Sequence, residues 1–121
     1  MLDTFTIRKM RPGSVLDGHV HDVLGFPEPV WPYSTHPRAQ VRLWEWLKLK
    51  QAQVWLPGKD EYPGDDCVMK FQSYPRQHFD AVSINHALCV ALLLVDYLRH
   101  HGRHFPIGGV NGWSSAINGS G

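Results

Sequence analysis

Apolar residues are densest in the last third of the chain, where they occupy most positions from Ile84 to Leu98. They cover more than one face of a helix of that length. The pattern predicts a helix over 83–101, with Ser83 or Asp80 as its N-cap and Gly102 as its end. Because so wide an apolar surface must be covered, we expect this helix to be the most buried of the fold or to lie at a subunit interface, in a homo-oligomer.

A shorter amphipathic pattern begins at Ser14. Asp17 follows three residues later, as in a capping box with the shorter acid, and Gly25 suits the left-handed position after a helix. The pattern therefore predicts a helix from Ser14 to Gly25. Its apolar positions fall on one side at helical spacing: Val15, Leu16, Val20, Val23 and Leu24.

A third helix is predicted from about Pro37 to Gln51. Proline is suited to the first helical position because its missing N–H is not needed there, and Thr35 or His36 would be the cap. Trp44 lies about 100° round the helix from the predicted buried stripe, and we expect it to be the more exposed tryptophan. That stripe comprises Leu43, Trp46 and Leu47.

Alternation of apolar and polar residues predicts strands in three places. Residues 4–10 suit a short strand or an extended arm, while residues 53–56 and 67–74 suit neighbouring strands of an antiparallel sheet. Residues 59–66 would form the loop between the neighbouring strands, and residues 75–82 would lead to the last helix.

These elements predict an α+β fold in which a small antiparallel sheet is layered with helices, an α-β-α sandwich. The length of 121 residues suits a single domain, 1–121. Within it we expect an N-terminal strand or arm at 1–12, a core at 14–101 and a Gly-rich C-terminal tail at 102–121.

Composition and charge restrict the classes of partner that the protein is expected to bind. The chain is 43% hydrophobic and 19% charged with a formal net charge of +1, so it carries no strong nucleic-acid signal and no attraction for an anionic membrane. Its longest apolar run, Ala87 to Val95, is far shorter than the roughly 20 residues that span a bilayer. The N-terminus lacks a signal-peptide pattern, and Cys67 and Cys89 form no disulfide or zinc motif. A cytoplasmic protein is expected.

Three landmarks together resemble a known family. They are the segment Leu-Asp-Gly-His-Val-His-Asp-Val-Leu-Gly-Phe at 16–26, the Pro-Tyr-Ser-Thr turn at 32–35 followed by Ala39 and Trp44, and the small-residue helix at 81–92. In order and spacing they resemble the phage ABA sandwich domain family, the NinX-like small phage proteins. The resemblance implies an α–β–α layered fold, a phage or prophage origin and an infected bacterial host as the location. It implies little chemistry, and His36 and Pro37 stand where the family often has an acid.

The segment around the turn is the best candidate binding site. Four prolines between residues 26 and 37 make it a rigid aromatic loop. Trp31 and Tyr33 offer stacking faces, Ser34 and Thr35 offer hydroxyl groups, and Arg38 lies in the first helical turn, where backbone N–H groups can hold an anion. The alternative is structural: the tyrosine packs as a lid on the core, and the two hydroxyl groups cap the helix.

Catalytic and metal motifs are not found. His100 and His104 would share a helix face, but imidazoles at a helix C-terminus are also explained by the helix dipole, and no metal or cofactor is expected. His19 and His21, two residues apart on a helix, would point in different directions. Paired carboxylates occur only in the predicted loop at 59–66, and there is no Gly-x-Ser-x-Gly elbow or P-loop.

Three functions fit these observations. The first is a non-enzymatic phage accessory protein that binds and sequesters a small anionic, nucleotide-type ligand and so counters host antiphage defence. The alternative is a protein-interaction module that inhibits a host or phage protein through an aromatic surface, formed by Trp44 and the Pro-rich loop. The third is a hydrolase whose histidine, aspartate or serine residues are brought together by the fold.

Overall fold

The computed structural model describes residues 3–56 and 66–101. The predicted 59–66 loop (apart from its last residue), Gly102 as a helix end, and the Gly-rich tail therefore lie outside the described residues. The elements confirm the predicted small α+β fold with an antiparallel sheet. In chain order they are α1 (Thr4–Lys9), α2 (Ser14–Leu24), α3 (Ala39–Leu49), β1 (Ala52–Trp55), β2 (Asp66–Phe71), β3 (Gln77–Asp80) and α4 (Ile84–His101).

Helix α4 is the centre of the fold. It packs against α1, α2 and α3 and against strands β1 and β2, and its residues from Asn85 to Val95 are all buried. Ser83 Oγ accepts a hydrogen bond from His86 N at 3.1 Å, which confirms Ser83 as the capping residue. The prediction that this helix is the most buried is thus confirmed, and the prediction of a homo-oligomer stays a prediction. Within the described residues, no helix has the length and apolar character needed to cross a membrane.

The three strands form an antiparallel sheet in the order β1-β2-β3. The predicted pairing of the first two is confirmed, with Val54 opposite Met69, but the second strand ends at Phe71 and not at residue 74 as predicted. Strand β3 was not expected, because it lies in the predicted connection 75–82. It is a four-residue edge strand with one large apolar residue, Phe79, which is buried opposite Cys67. One apolar position is too few for alternation to reveal a strand.

The N-terminal prediction of a strand or arm is wrong, because residues Thr4–Lys9 form helix α1. Asp3 caps this helix: its Oδ1 accepts a hydrogen bond from Thr6 N at 2.8 Å. Of the apolar residues that alternate here, Ile7 is buried and Phe5 is exposed. A single buried residue on one helical turn produces the same apolar spacing as a short strand, so the spacing alone does not distinguish the two.

Helix α3 confirms most of its predicted stripe. Leu43 and Leu47 are fully buried, and Ala39 joins them. Trp44 and Trp46 are both half-buried and both pack against the core, so Trp46 is less buried than the predicted stripe required. Each indole lies at an edge of the buried stripe and covers it with part of its surface.

His86 ties the start of α4 to the segment between α1 and α2. The imidazole is buried; its Nδ1 accepts a hydrogen bond from Val82 N at 3.1 Å, and its Nε2 lies 2.7 Å from Met10 O. Because Nδ1 is the acceptor, the proton of the neutral ring is on Nε2, which donates to the Met10 carbonyl. A second proton on Nδ1 would face the Val82 N–H group.

We expect His86 to make stability depend on pH. Burial, as the largest cause, lowers the pKa of His86 below its ordinary value of 6.5. The unfolded chain therefore binds the proton more readily, so stability is full above pH 6.5 and falls as the pH drops from there towards the folded-state pKa. Urea unfolding at a series of pH values should show this slope, and His86→Gln should flatten it. Equal slopes for the two proteins would contradict the prediction.

Candidate functional site

The start of α2 and the turn are joined by two hydrogen bonds, one buried and one half-buried. Asp17 Oδ1 accepts from Ser34 N at 2.7 Å, and Ser34 Oγ accepts from Gly13 N at 2.9 Å. The boundaries of α2 and the left-handed Gly25 after it are as predicted. The predicted role of Asp17 in a capping box is wrong, because its carboxylate bonds the turn instead. Ser34 likewise is buried and bonds the segment before α2, so its hydroxyl does not cap α3.

Tyr33 is fully buried beneath the turn. Its hydroxyl lies 2.9 Å from His21 Nδ1, and its ring stacks on Trp31 with centroids 6.4 Å apart. Burial, as the largest cause, raises the pKa of the Tyr33 hydroxyl, which keeps the group neutral. This arrangement matches the structural alternative, in which Tyr33 is a lid on the core. A ligand bound at the surface of the turn would therefore contact the residues around Tyr33 and not Tyr33 itself.

Asn85, from the first turn of α4, holds the turn from below. Its Nδ2 donates to Tyr33 O at 3.0 Å and to His36 O at 2.6 Å, and its Oδ1 accepts from Gln40 Nε2 at 2.8 Å. One buried amide thus connects the turn to α3 and α4. The turn is a rigid surface because its backbone is bonded from inside the protein.

The N-terminus of α3 differs from the prediction. The helix begins at Ala39 with Arg38 as N-cap, and no side-chain cap is provided by Thr35, which is exposed. The N–H of Arg38 donates to His36 Nδ1 at 3.2 Å, and that of Ala39 donates to His36 O at 3.0 Å. The N–H of Gln40 also bonds within the turn, to Pro37 O. Backbone groups expected to hold an anion are therefore already used.

A surface cleft of about 250 Å³ remains beside the turn, lined by Trp31, Pro32, His36 and Arg38; we call it the turn cleft. It brings together two of the five predicted site residues, Trp31 and Arg38. His36 lines it as well and was not predicted. Because His36 Nδ1 accepts from Arg38 N, the Nε2–H of the neutral ring is available as a donor. The turn cleft combines an indole with two side-chain donors.

Arg42 supports this cleft from behind. Its guanidinium lies 4.1 Å from the Trp31 ring and 4.5 Å from the Phe26 ring, and 3.8 Å from the Glu28 carboxylate. These contacts hold the Pro-rich loop against α3. Arg42 was not among the site residues predicted from the sequence. The available signal was its spacing, one helical turn after Arg38 and on the same face.

A second concavity of about 390 Å³ lies between α1, α2 and α4, and we call it the helix cleft. The predicted divergence of His19 and His21 is confirmed, since His19 lines this cleft whereas His21 contacts Tyr33. At its edge His100 Nδ1 lies 2.9 Å from Asp96 O and 3.4 Å from Asp96 Oδ1. The lining residues are Ile7, His19, Asp22, Val23, Leu93, Asp96, Tyr97, His100 and His101.

Sequence reasoning missed the helix cleft because its residues come from three helices. The spacing of Asp96 and His100, four residues apart on one helix, was the available signal. Across residues 3–56 and 66–101, no three histidine, cysteine, aspartate or glutamate side chains are grouped so that they could hold a metal ion. His104, the expected neighbour of His100, lies outside the described residues.

Comparison of the chain with models of known protein families, with curated proteins and with solved structures gives no match, so the phage ABA sandwich resemblance stays a prediction.

Proposed function

We propose that the protein is a non-enzymatic accessory protein of phage origin that binds and sequesters a small anionic, nucleotide-type ligand at the turn cleft, and so counters host antiphage defence. The observation that carries the binding proposal is the placement of Trp31, His36 and Arg38 around one rigid cleft. The phage setting rests on the family resemblance, and the sequestering role is an analogy at the level of fold and context.

The chemistry of the turn cleft fits an aromatic anion. The indole of Trp31 can contact a base from the cleft, while the guanidinium of Arg38 and the His36 Nε2–H can bond phosphate oxygens. Arg38 is exposed and has no ion-pair partner among the described residues. At about 250 Å³ the cleft is smaller than most pockets for whole drug-sized ligands, so it fits one part of a nucleotide.

Ligand screening by thermal shift tests this proposal. The protein is heated with linear and cyclic nucleotides and with inorganic phosphate alone. A nucleotide at about 100 times its dissociation constant stabilises the folded state by about 2.7 kcal/mol, which should raise the melting temperature by about 10 °C. No shift with any nucleotide would count against the proposal.

Arg38→Gln should weaken nucleotide binding by about 10- to 100-fold, because a charge-assisted hydrogen bond contributes about 1.5–3 kcal/mol. Titration calorimetry of wild type and variant with the nucleotide selected by the screen measures the change. Arg11→Gln is the matched control, since Arg11 is also exposed and lies outside the turn cleft. Equal affinities for wild type and Arg38→Gln would move the site away from the turn. Ligand recovered intact after heat release of the protein would exclude the hydrolase alternative.

A protein-interaction module remains the second candidate. It is favoured by the exposure of the whole Pro-rich segment 26–30, in which Phe26 and Val30 present apolar side chains. Trp44, expected to be part of that surface, is half-buried. If this candidate is correct, nucleotides do not raise the melting temperature. The Val30→Asp variant should then no longer inhibit the partner protein.

A further inference from the structure

We propose that the helix cleft is a second binding site, which takes a small organic ammonium ion with a short apolar chain. The site is separate from the turn cleft, shares no lining residue with it and has the opposite charge preference. The proposal therefore does not depend on the nucleotide proposal above.

Two aspartate carboxylates give the helix cleft its preference for a positively charged ligand. Asp22 from α2 and Asp96 from α4 both line the helix cleft. The Asp22 carboxylate makes no hydrogen bond or ion pair with any described residue, while the Asp96 carboxylate lies 3.6 Å from Arg99 Nη1 and 3.4 Å from His100 Nδ1. No lysine or arginine lines the cleft. Two carboxylates in a lining without lysine or arginine favour a cation over an anion.

The remaining lining fits an ammonium ion with an alkyl chain better than a bare ion. Val23 is half-buried and, beside the buried Ile7 and Leu93, gives the cleft an apolar wall on which methylene groups can pack. Tyr97 and His101 form an aromatic pair with ring centroids 4.7 Å apart, and an ammonium group is attracted to aromatic faces. A metal ion is disfavoured because the described side chains offer no group of three suitable ligands.

The volume also suits a small ligand. The helix cleft, at about 390 Å³, falls within the size range of small-molecule pockets, although it is open to solvent on one side. An aliphatic amine of five carbons would place its chain on the apolar residues and its ammonium group at the carboxylates. One charged group and a short chain correspond to a dissociation constant of about 1 mM.

Titration of the ¹⁵N-labelled full chain with pentylamine tests the proposal. The amide resonances of residues lining the helix cleft should shift with a dissociation constant near 1 mM. 1-Pentanol, which has the same chain without the charge, should bind at least about tenfold more weakly, and pentanoate should not bind there. Asp22→Asn should weaken pentylamine binding about fivefold or more, whereas Asp80→Asn, an equally exposed carboxylate on β3, should leave it unchanged.

Four results would overturn the proposal. They are equal binding of pentylamine and 1-pentanol, equal effects of the two aspartate substitutions, no shift of helix-cleft resonances at about 10 mM amine, and displacement of the amine by Zn²⁺ bound at these residues. Asp22 is exposed on α2, so its substitution is not expected to unfold the protein. Nucleotides should leave these resonances unmoved, which separates this test from that of the turn cleft.

Discussion

Tyr33→Ala is expected to lower the free energy of unfolding by about 3–5 kcal/mol. The side chain is fully buried, stacks on Trp31 and reaches His21 through its hydroxyl group. Truncation removes the ring and leaves a cavity that the hydrogen-bonded turn above it cannot fill by collapsing. Urea denaturation followed by tryptophan fluorescence measures the change.

Tyr33→Phe is the matched control. It keeps the ring and removes only the hydroxyl group, so its expected loss is about 1 kcal/mol. A loss below about 1 kcal/mol for Tyr33→Ala would show that the ring does not support the core. The stability of each variant matters for the binding tests, because an unfolded variant gives no information on ligand binding. Substitutions of Arg38, which is exposed, are the informative ones for the turn cleft.

Asn85→Ala is expected to lower the free energy of unfolding by about 2–4 kcal/mol. The substitution removes three hydrogen bonds, which connect Tyr33 O, His36 O and Gln40 Nε2 to one buried amide. The Tyr33 carbonyl would lose the partner that it has inside the protein. Equilibrium urea unfolding gives the magnitude. Hydrogen exchange of the amides at 33–40 should also become faster, because the turn is released from α4.

Gln40→Ala separates the contribution of the Gln40–Asn85 hydrogen bond from that of the two hydrogen bonds between Asn85 and the turn. It removes one of the three hydrogen bonds and should lower the free energy of unfolding by about 1 kcal/mol. If Asn85→Ala is no more destabilising than Gln40→Ala, the two bonds from Asn85 to the turn contribute nothing. Slow exchange at 33–40 in Asn85→Ala would lead to the same conclusion.

These variants also bear on the proposed function, since a preorganised site binds without first ordering its own side chains. The turn cleft is built on backbone that Asp17 and Asn85 hold from below. An Asn85→Ala protein that is still folded should bind nucleotide more weakly than wild type, although Asn85 does not line the cleft.

The candidate site was predictable in part. The turn and its aromatic, cationic chemistry follow from residues that are close in sequence, and Trp31 and Arg38 do share a cleft. Tyr33 and Ser34 were expected to be available to a ligand or to cap α3, but both are used inside the protein. Their partners lie 12 and 21 residues away in the chain, and hydrogen bonds over such distances leave no periodic signal in a sequence.

Local physics was sufficient for much of the fold. Helical periodicity identified α2 and α3, because an amphipathic helix repeats its apolar residues every 3 to 4 positions, and the length of the apolar run identified α4. Alternation identified the antiparallel pair β1 and β2, and the residues Gly25 and Ser83 marked helix ends through their own backbone and side-chain preferences. These features depend on interactions within about one turn or one strand.

Tertiary packing determined the conformation of segments that are too short to show a sequence pattern. The six residues of α1 and the four of β3 are too short for a period to be distinguished, and packing of Ile7 and Phe79 into the shared core selects their conformations. The helix cleft exists only because α1, α2 and α4 meet. The sequence by itself determined the rigid, proline-rich turn and its position before α3. Only the folded core decided that Tyr33 faces inward, since burying an aromatic ring is more favourable than exposing it.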